Sequence, residues 1–169
     1  MSPAQTSALK WTFLALCCLL LAFLRRLLLG SVTVWGVIPF LPPVLLAVVA
    51  SFEEPRPAVL FGMSFGAVCD LALPALFPCL YTLSFTLAAL LIASLAHSVL
   101  QAGFLRALLM TVLAFFVVDL FSAAAVLTRC GAGALGAALS LFVREAIVSC
   151  LLLAPAYPAL YAVRRIFPG

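Results

Sequence analysis

The chain has 169 residues, 67% of them hydrophobic and only 8% charged, with nine Lys or Arg against five Asp or Glu. Soluble domains run at about 45–50% apolar and about 25% charged, so this composition cannot clothe a water-facing surface; a mean hydropathy of +1.36 equally excludes disorder, which needs much charge and few apolar residues. The net charge of +4 is spread thinly, with no Lys/Arg run of the kind that binds nucleic acid. What remains is an all-α polytopic membrane protein. At about 20 apolar residues per crossing, residues 1–169 hold about six transmembrane helices in one compact bundle, a single integral membrane domain with no sizeable extramembrane part.

The polar stretch Met1 to Lys10 leads into an apolar run from Trp11 to Leu24, then Arg25-Arg26 and Leu27 to Leu29. No small-x-small cleavage site follows, so this reads as an uncleaved first helix rather than a signal peptide, its arginines snorkelling to an interface. Gly30 to Pro43 reads as a loop. Proline lacks a backbone donor but suits a helix's first turn, so the second helix starts at Pro43 and runs to Phe52, short unless Val32 to Phe40 also enters the membrane. Glu53-Glu54-Pro55-Arg56-Pro57, the most hydrophilic pentapeptide, is a water-facing turn. Helices follow over Ala58 to Leu73, Leu80 to Ala96 and Phe104 to Leu127, separated by a Pro74–Pro78 turn and a loop from His97 to Gly103. Thr128 to Gly136 is a small-residue loop carrying Arg129. The last apolar stretch, Leu139 to Val163, has Arg144-Glu145 near its start, and Pro155 and Pro158 are expected to kink it. With six spans and the N-terminus inside, Lys10, Arg56, Arg106, Arg164 and Arg165 lie inside and Arg25, Arg26, Arg129 and Arg144 outside, a slight positive-inside preference.

Ala58, Gly62, Gly66 and Asp70 are spaced by four and share one helix face. Gly62 to Gly66 is a GxxxG motif, which lets another backbone approach closely in lipid. The face serves either packing within the bundle or docking of a partner's helix. Asp70 and Asp119 are acids inside apolar helices. An ionised Asp at the membrane centre costs about 2.5–3.5 kcal/mol, so each needs a reason: an Asp–Arg pair with Arg26, Arg129 or Arg144, a helix-end contact, partner recognition or proton coupling. Thr82 and Thr86 lie one turn apart, followed on the same face by Ala89 and Ala93, and their hydroxyls are expected to bond carbonyls or a neighbouring helix. Thr86, Asp119, Arg144 and Glu145 are read as buried polar groups.

The single His97 lacks a companion for a metal site. No serine has a His and an acid at its depth, and no GxGxxG or Walker loop occurs, so neither an enzyme nor a bound cofactor is expected. The six cysteines form no CxxC and read as small apolar packing residues, although Cys79 and Cys130 fall in loops on one side where a disulfide is conceivable.

Pro43-Val-Leu-Leu-Ala-Val-Val-Ala50, Phe52-Glu-Glu-Pro-Arg-Pro-Ala58 and Leu60-Phe-Gly-Met-Ser-Phe-Gly-Ala-Val-Cys-Asp70-Leu71 resemble the MreD family of bacterial rod-shape-determining membrane proteins. Pro78-Cys-Leu-Tyr-Thr-Leu-Ser-Phe-Thr86-Leu and Arg144-Glu-Ala-Ile-Val-Ser-Cys-Leu-Leu-Leu-Ala-Pro155-Ala-Tyr-Pro158 extend the resemblance over nearly the whole chain; Pro74 and Pro78 replace the glycine-rich turn usual in that family. The resemblance implies a fold similar to the S components of energy-coupling-factor transporters. It also implies a non-enzymatic scaffold in the bacterial inner membrane, acting in lateral peptidoglycan synthesis with an MreC-like protein, MreB, RodA and a class B transpeptidase. Gly62, Gly66 and Asp70 are then the docking or packing face, and Glu53, Glu54 and Arg56 a cytoplasmic contact. The rival is a vitamin-binding S component using Asp70, Asp119 and Thr86; a roomy polar pocket open outward favours it, a closed apolar centre the scaffold.

Overall fold

A computed structural model describes residues 11, 12, 15, 36–73, 77–99 and 103–166, those at 97–99, 132 and 163–166 as backbone only. Among them the chain is built from six α-helices: α1 (Pro42–Phe52), α2 (Pro55–Ala72), α3 (Leu80–Val99), α4 (Phe104–Cys130), α5 (Leu135–Leu151) and α6 (Leu153–Ile166), with a 3-10 turn at Ala132–Ala134 before α5. The expected first helix lies outside the described residues, apart from helical positions at Trp11, Thr12 and Ala15. The Pro74–Pro78 turn is described only at Phe77 and Pro78.

Prolines set most of the boundaries. Pro42 and Pro43 open α1, and Pro55 and Pro57 open α2, positions where a missing N–H leaves no bond unmade. Gly131, at φ +78°, closes α4, a conformation glycine adopts without steric cost. The expected last helix is two helices meeting at 49°. Pro155 cannot donate to the Leu151 carbonyl and its ring crowds that group, so the chain bends at Leu152, whose N–H turns back to Ser149.

α1 is the centre of the molecule. Every residue from Pro42 to Ser51 is buried, enclosed by α2, α3, α4 and α6. Its 11 residues rise about 16 Å, half of a hydrocarbon core of about 30 Å. Among the described residues, α4, at 27 residues, is the one helix both long and apolar enough to cross, with α5 and α6 a second if the bent pair is one crossing. Among the described residues the expectation of six full-length spans is therefore not confirmed: α1 is too short, and the apolar part of α3 ends at Ala96.

The most extensive interface joins α2 to α3. A Cβ built on Gly62 would lie 2.7 Å from the Phe85 carbonyl oxygen, and one built on Gly66 would lie 2.6 Å from the Thr82 Cα, so the two backbones touch where side chains are missing. Rings pack along the same seam, from Trp11 through Phe61, Phe65, Phe85 and Tyr81 to Phe40, each pair with centroids 5.4–6.1 Å apart. A second cluster, of Phe52, Phe104, Tyr157 and Tyr161, gathers at the end of the bundle where α1 stops and α4 starts.

Candidate functional site

The polar groups of the bundle are few, and two of the charged ones, Asp70 and Arg106, hold helix ends. Asp70, half-buried near the end of α2, accepts the Tyr81 N–H (2.9 Å) on one oxygen and the Thr82 N–H (2.9 Å) and hydroxyl (2.6 Å) on the other. These are the second and third N–H groups of α3, the donors that an Asp at the helix's own N-cap would take. The residue at that cap is Cys79, at φ +63°, whose thiol is a weak acceptor. Asp70 reaches across from α2 instead, and its negative charge meets the positive end of the α3 dipole. Of the open readings of Asp70, the helix-end contact is the one present, with backbone rather than arginine as partner.

At the other end of α3 the corresponding group is Arg106, near the start of α4. It is buried and donates to the carbonyls of Ala96 in α3 (3.1 Å) and Ser51 in α1. Carbonyls at helix C-termini have no partner within the helix and carry partial negative charge, so one forked guanidinium closes two helices at once. The sequence placed Arg106 only as a membrane flank. The usable signal was topological: in an up-and-down bundle the start of α4 lies beside the ends of α1 and α3.

Ser149, also buried, accepts the Phe40 N–H (2.7 Å) and ties α5 to the segment entering α1. Other hydroxyls turn back on their own helices, among them Thr86 to Thr82, Thr111 to Ala107, Ser51 to Val48 and Ser64 to Leu60 and Phe61. This is the usual way a helical Ser or Thr satisfies itself in apolar surroundings.

The expected buried set is only partly buried. Thr86, Asp119 and Glu145 are half-buried, with Glu145 near Tyr81, whereas Arg144 is exposed. The reason is that α5 buries only Val148 and Ser149; its start stands at the edge of the bundle. The buried base is Arg106. Arg129 is exposed and lies 4.5 Å from the centre of the Phe77 ring, a cation–π contact. Cys79 and Cys130 are exposed, free thiols, while Cys69 is buried. In the α1–α2 turn, Glu54 and Arg56 are exposed and Glu53 half-buried.

Ala58, Gly62 and Gly66 are all buried. Since α3 occupies the Gly62–Gly66 face, docking of a foreign helix there would require α2 and α3 to part; the packing alternative describes this face. Large apolar side chains instead point outward from every long helix, including Leu60 and Leu71 of α2, Leu83 of α3, Phe116 and Leu120 of α4 and Val143 of α5. A cavity of about 500 Å³ between Trp11, Ala15 and one face of α2 (Leu60, Phe61, Phe65, Val68) has apolar walls, as does a smaller one between Phe77, Leu80 and Phe121. Among the described residues no three His, Cys, Asp or Glu side chains come together as a metal site would require. Compared with protein-family models, curated proteins and solved structures, the chain matches none.

Proposed function

We propose that this chain is a non-enzymatic scaffold of the bacterial inner membrane, an MreD-like member of the cell-elongation machinery that supports lateral peptidoglycan synthesis through helix-face contacts with an MreC-like protein and, through it, MreB, RodA and a class B transpeptidase. The polypeptide crosses the bilayer as a bundle of about six segments, α1 filling the interior, with its N-terminus in the cytoplasm.

The observation that carries this reading is the filling of the centre. α1 occupies the place where a small-molecule carrier would keep a cavity, and it presents only apolar side chains and Ser51 to its neighbours. Ligand sites need several polar groups converging on a concave surface. Asp70 and Thr86, two of the residues a vitamin-binding S component would use, are engaged with backbone groups. The outward-facing leucines and phenylalanines favour a lipid surround, and the Tyr157–Tyr161–Phe52 cluster suits a membrane boundary.

The test is complementation. A rod-shaped bacterium depleted of its own MreD becomes round; expression of this chain restores rods if the reading is correct. Failure to restore shape, with the chain present in the membrane fraction, overturns it, and capture of an ATP-driven transport module would replace it with the transporter.

A further inference from the structure

We propose that the exposed face of α5 around Arg144 is the surface that receives a transmembrane helix of the partner, and that this helix carries a carboxylate level with Arg144. The inference rests on the scaffold reading and names the surface and partner chemistry it uses.

Gly136, Ser140, Arg144, Ile147 and Leu151 fall at intervals of four, four, three and four and make one stripe along α5. All five are exposed among the described residues. Nothing lies within 4 Å of a Cβ built on Gly136, and the Ser140 hydroxyl is turned onto the Ala137 carbonyl, so this end of the stripe is a shallow recess. Side chains on a helix lean toward its N-terminus, and for Arg144 that is the direction of Ser140 and Gly136. Leu141, Val143 and Ile147 surround it with exposed apolar surface. One face away, Ser149 bonds the Phe40 N–H and Glu145 lies near Tyr81, so Arg144 lies beside the bundle rather than beyond it.

A cation on an apolar helix face in a membrane needs an opposite charge, and none of the described acids is paired with Arg144. All five Asp and Glu residues lie within the described part. Asp70 is engaged at α3, Glu53 and Glu54 are at the α1–α2 connection at the opposite end of the bundle, Glu145 lies near Tyr81, and no ion pair joins Arg144 to Asp119 or any other described residue. Residues 1–35 contain no acid. On this proposal the answering charge comes from outside the described residues. A lipid phosphate would satisfy the charge but makes no use of the recess, whereas a helix backbone fits against Gly136 and Ser140 as small residues allow and can bring a carboxylate to a bidentate guanidinium.

The test uses the full chain in bacterial membranes with a photo-crosslinking residue at Ser140 and, in a separate version, at Phe116 on the outer face of α4. The expected adduct at position 140 is a membrane-spanning segment of another protein containing an Asp or Glu. Arg144→Glu should lower its yield at least tenfold, Arg144→Lys should keep most of it, and replacing the partner's acid by Arg should restore capture by the Arg144→Glu chain. Unchanged thermal unfolding of Arg144→Glu in detergent separates lost docking from lost folding. An adduct confined to phospholipid or to a second copy of this chain, or a yield indifferent to Arg144→Glu, overturns the proposal. Capture of the partner at 116 and not at 140 overturns this surface alone; absence of capture at both, together with failed complementation, overturns the scaffold as well.

Discussion

Asp70 and Arg106 hold opposite ends of the same helix. The carboxylate from α2 takes the free N–H groups at the start of α3, and the guanidinium from α4 takes a carbonyl near its end. Each charge faces the pole of the helix dipole that attracts it, so backbone groups answer both, with the Thr82 hydroxyl adding to those on Asp70. Arg106 also reaches Ser51, which makes the buried α1 part of the same clasp.

Removing the Asp70 carboxylate should weaken the α2–α3 pair. Asp70→Ala is expected to cost about 2 kcal/mol, in the range of a lost helix cap, and Asp70→Asn about half of that, because the amide keeps one acceptor but turns a donor toward the other N–H. Thermal unfolding in detergent, followed by circular dichroism, should rank wild type above Asn and Asn above Ala.

Arg106→Met leaves the Ser51 and Ala96 carbonyls without their donor. At about 1–3 kcal/mol per buried unsatisfied group, the loss should be about 3 kcal/mol. Arg106→Lys should lose less, since an ammonium keeps the charge but not the fork that spans two carbonyls. Unfolding midpoints of the two variants in the same detergent measure the difference.

Glycine-to-alanine exchange should change sign between helices. In α2, Gly66→Ala and Gly62→Ala drive a methyl into α3 backbone, which cannot move aside without separating the helices, and should destabilise by about 1–3 kcal/mol. In α5, Gly136→Ala meets open space and should stabilise by about 0.5–1 kcal/mol, the ordinary helix preference for alanine. Three melting curves decide it.

Pro155→Ala restores an N–H opposite the Leu151 carbonyl and removes the ring that crowds it. The 49° bend between α5 and α6 should open toward a straight helix. Spin labels at Leu141 and Tyr161, both exposed, should then move apart in pulsed dipolar measurements.

Much of the helical layout was legible because proline leaves unambiguous marks. Pro43 placed the start of α1 one residue late, the turn read over Glu53–Pro57 placed the start of α2 at Ala58 rather than Pro55, and Pro155 with Pro158 marked the last stretch as bent where it breaks into α5 and α6. The faces were less legible. Ala58, Gly62 and Gly66 show by spacing that a backbone comes close, but spacing does not tell whose backbone it is, and α3 of the same chain fills the place. Arg106 and Arg144 look alike in sequence, each a single arginine near the start of an apolar run. They part company because α4 begins among the ends of α1 and α3, whereas α5 begins at the rim, and that difference is one of three-dimensional neighbourhood. The depth of α1 was hidden for a related reason: a short apolar run reads the same whether it is a stunted crossing or an enclosed core.

The enclosure of α1 bears on how the molecule is made. A segment that ends up touching protein on every side has no stable place in lipid by itself, being half the depth of the bilayer with uncapped polar ends. It precedes α2, α3 and α4 in the chain, so it emerges before the walls that will house it. Its final position is therefore reached only after those later segments have arrived.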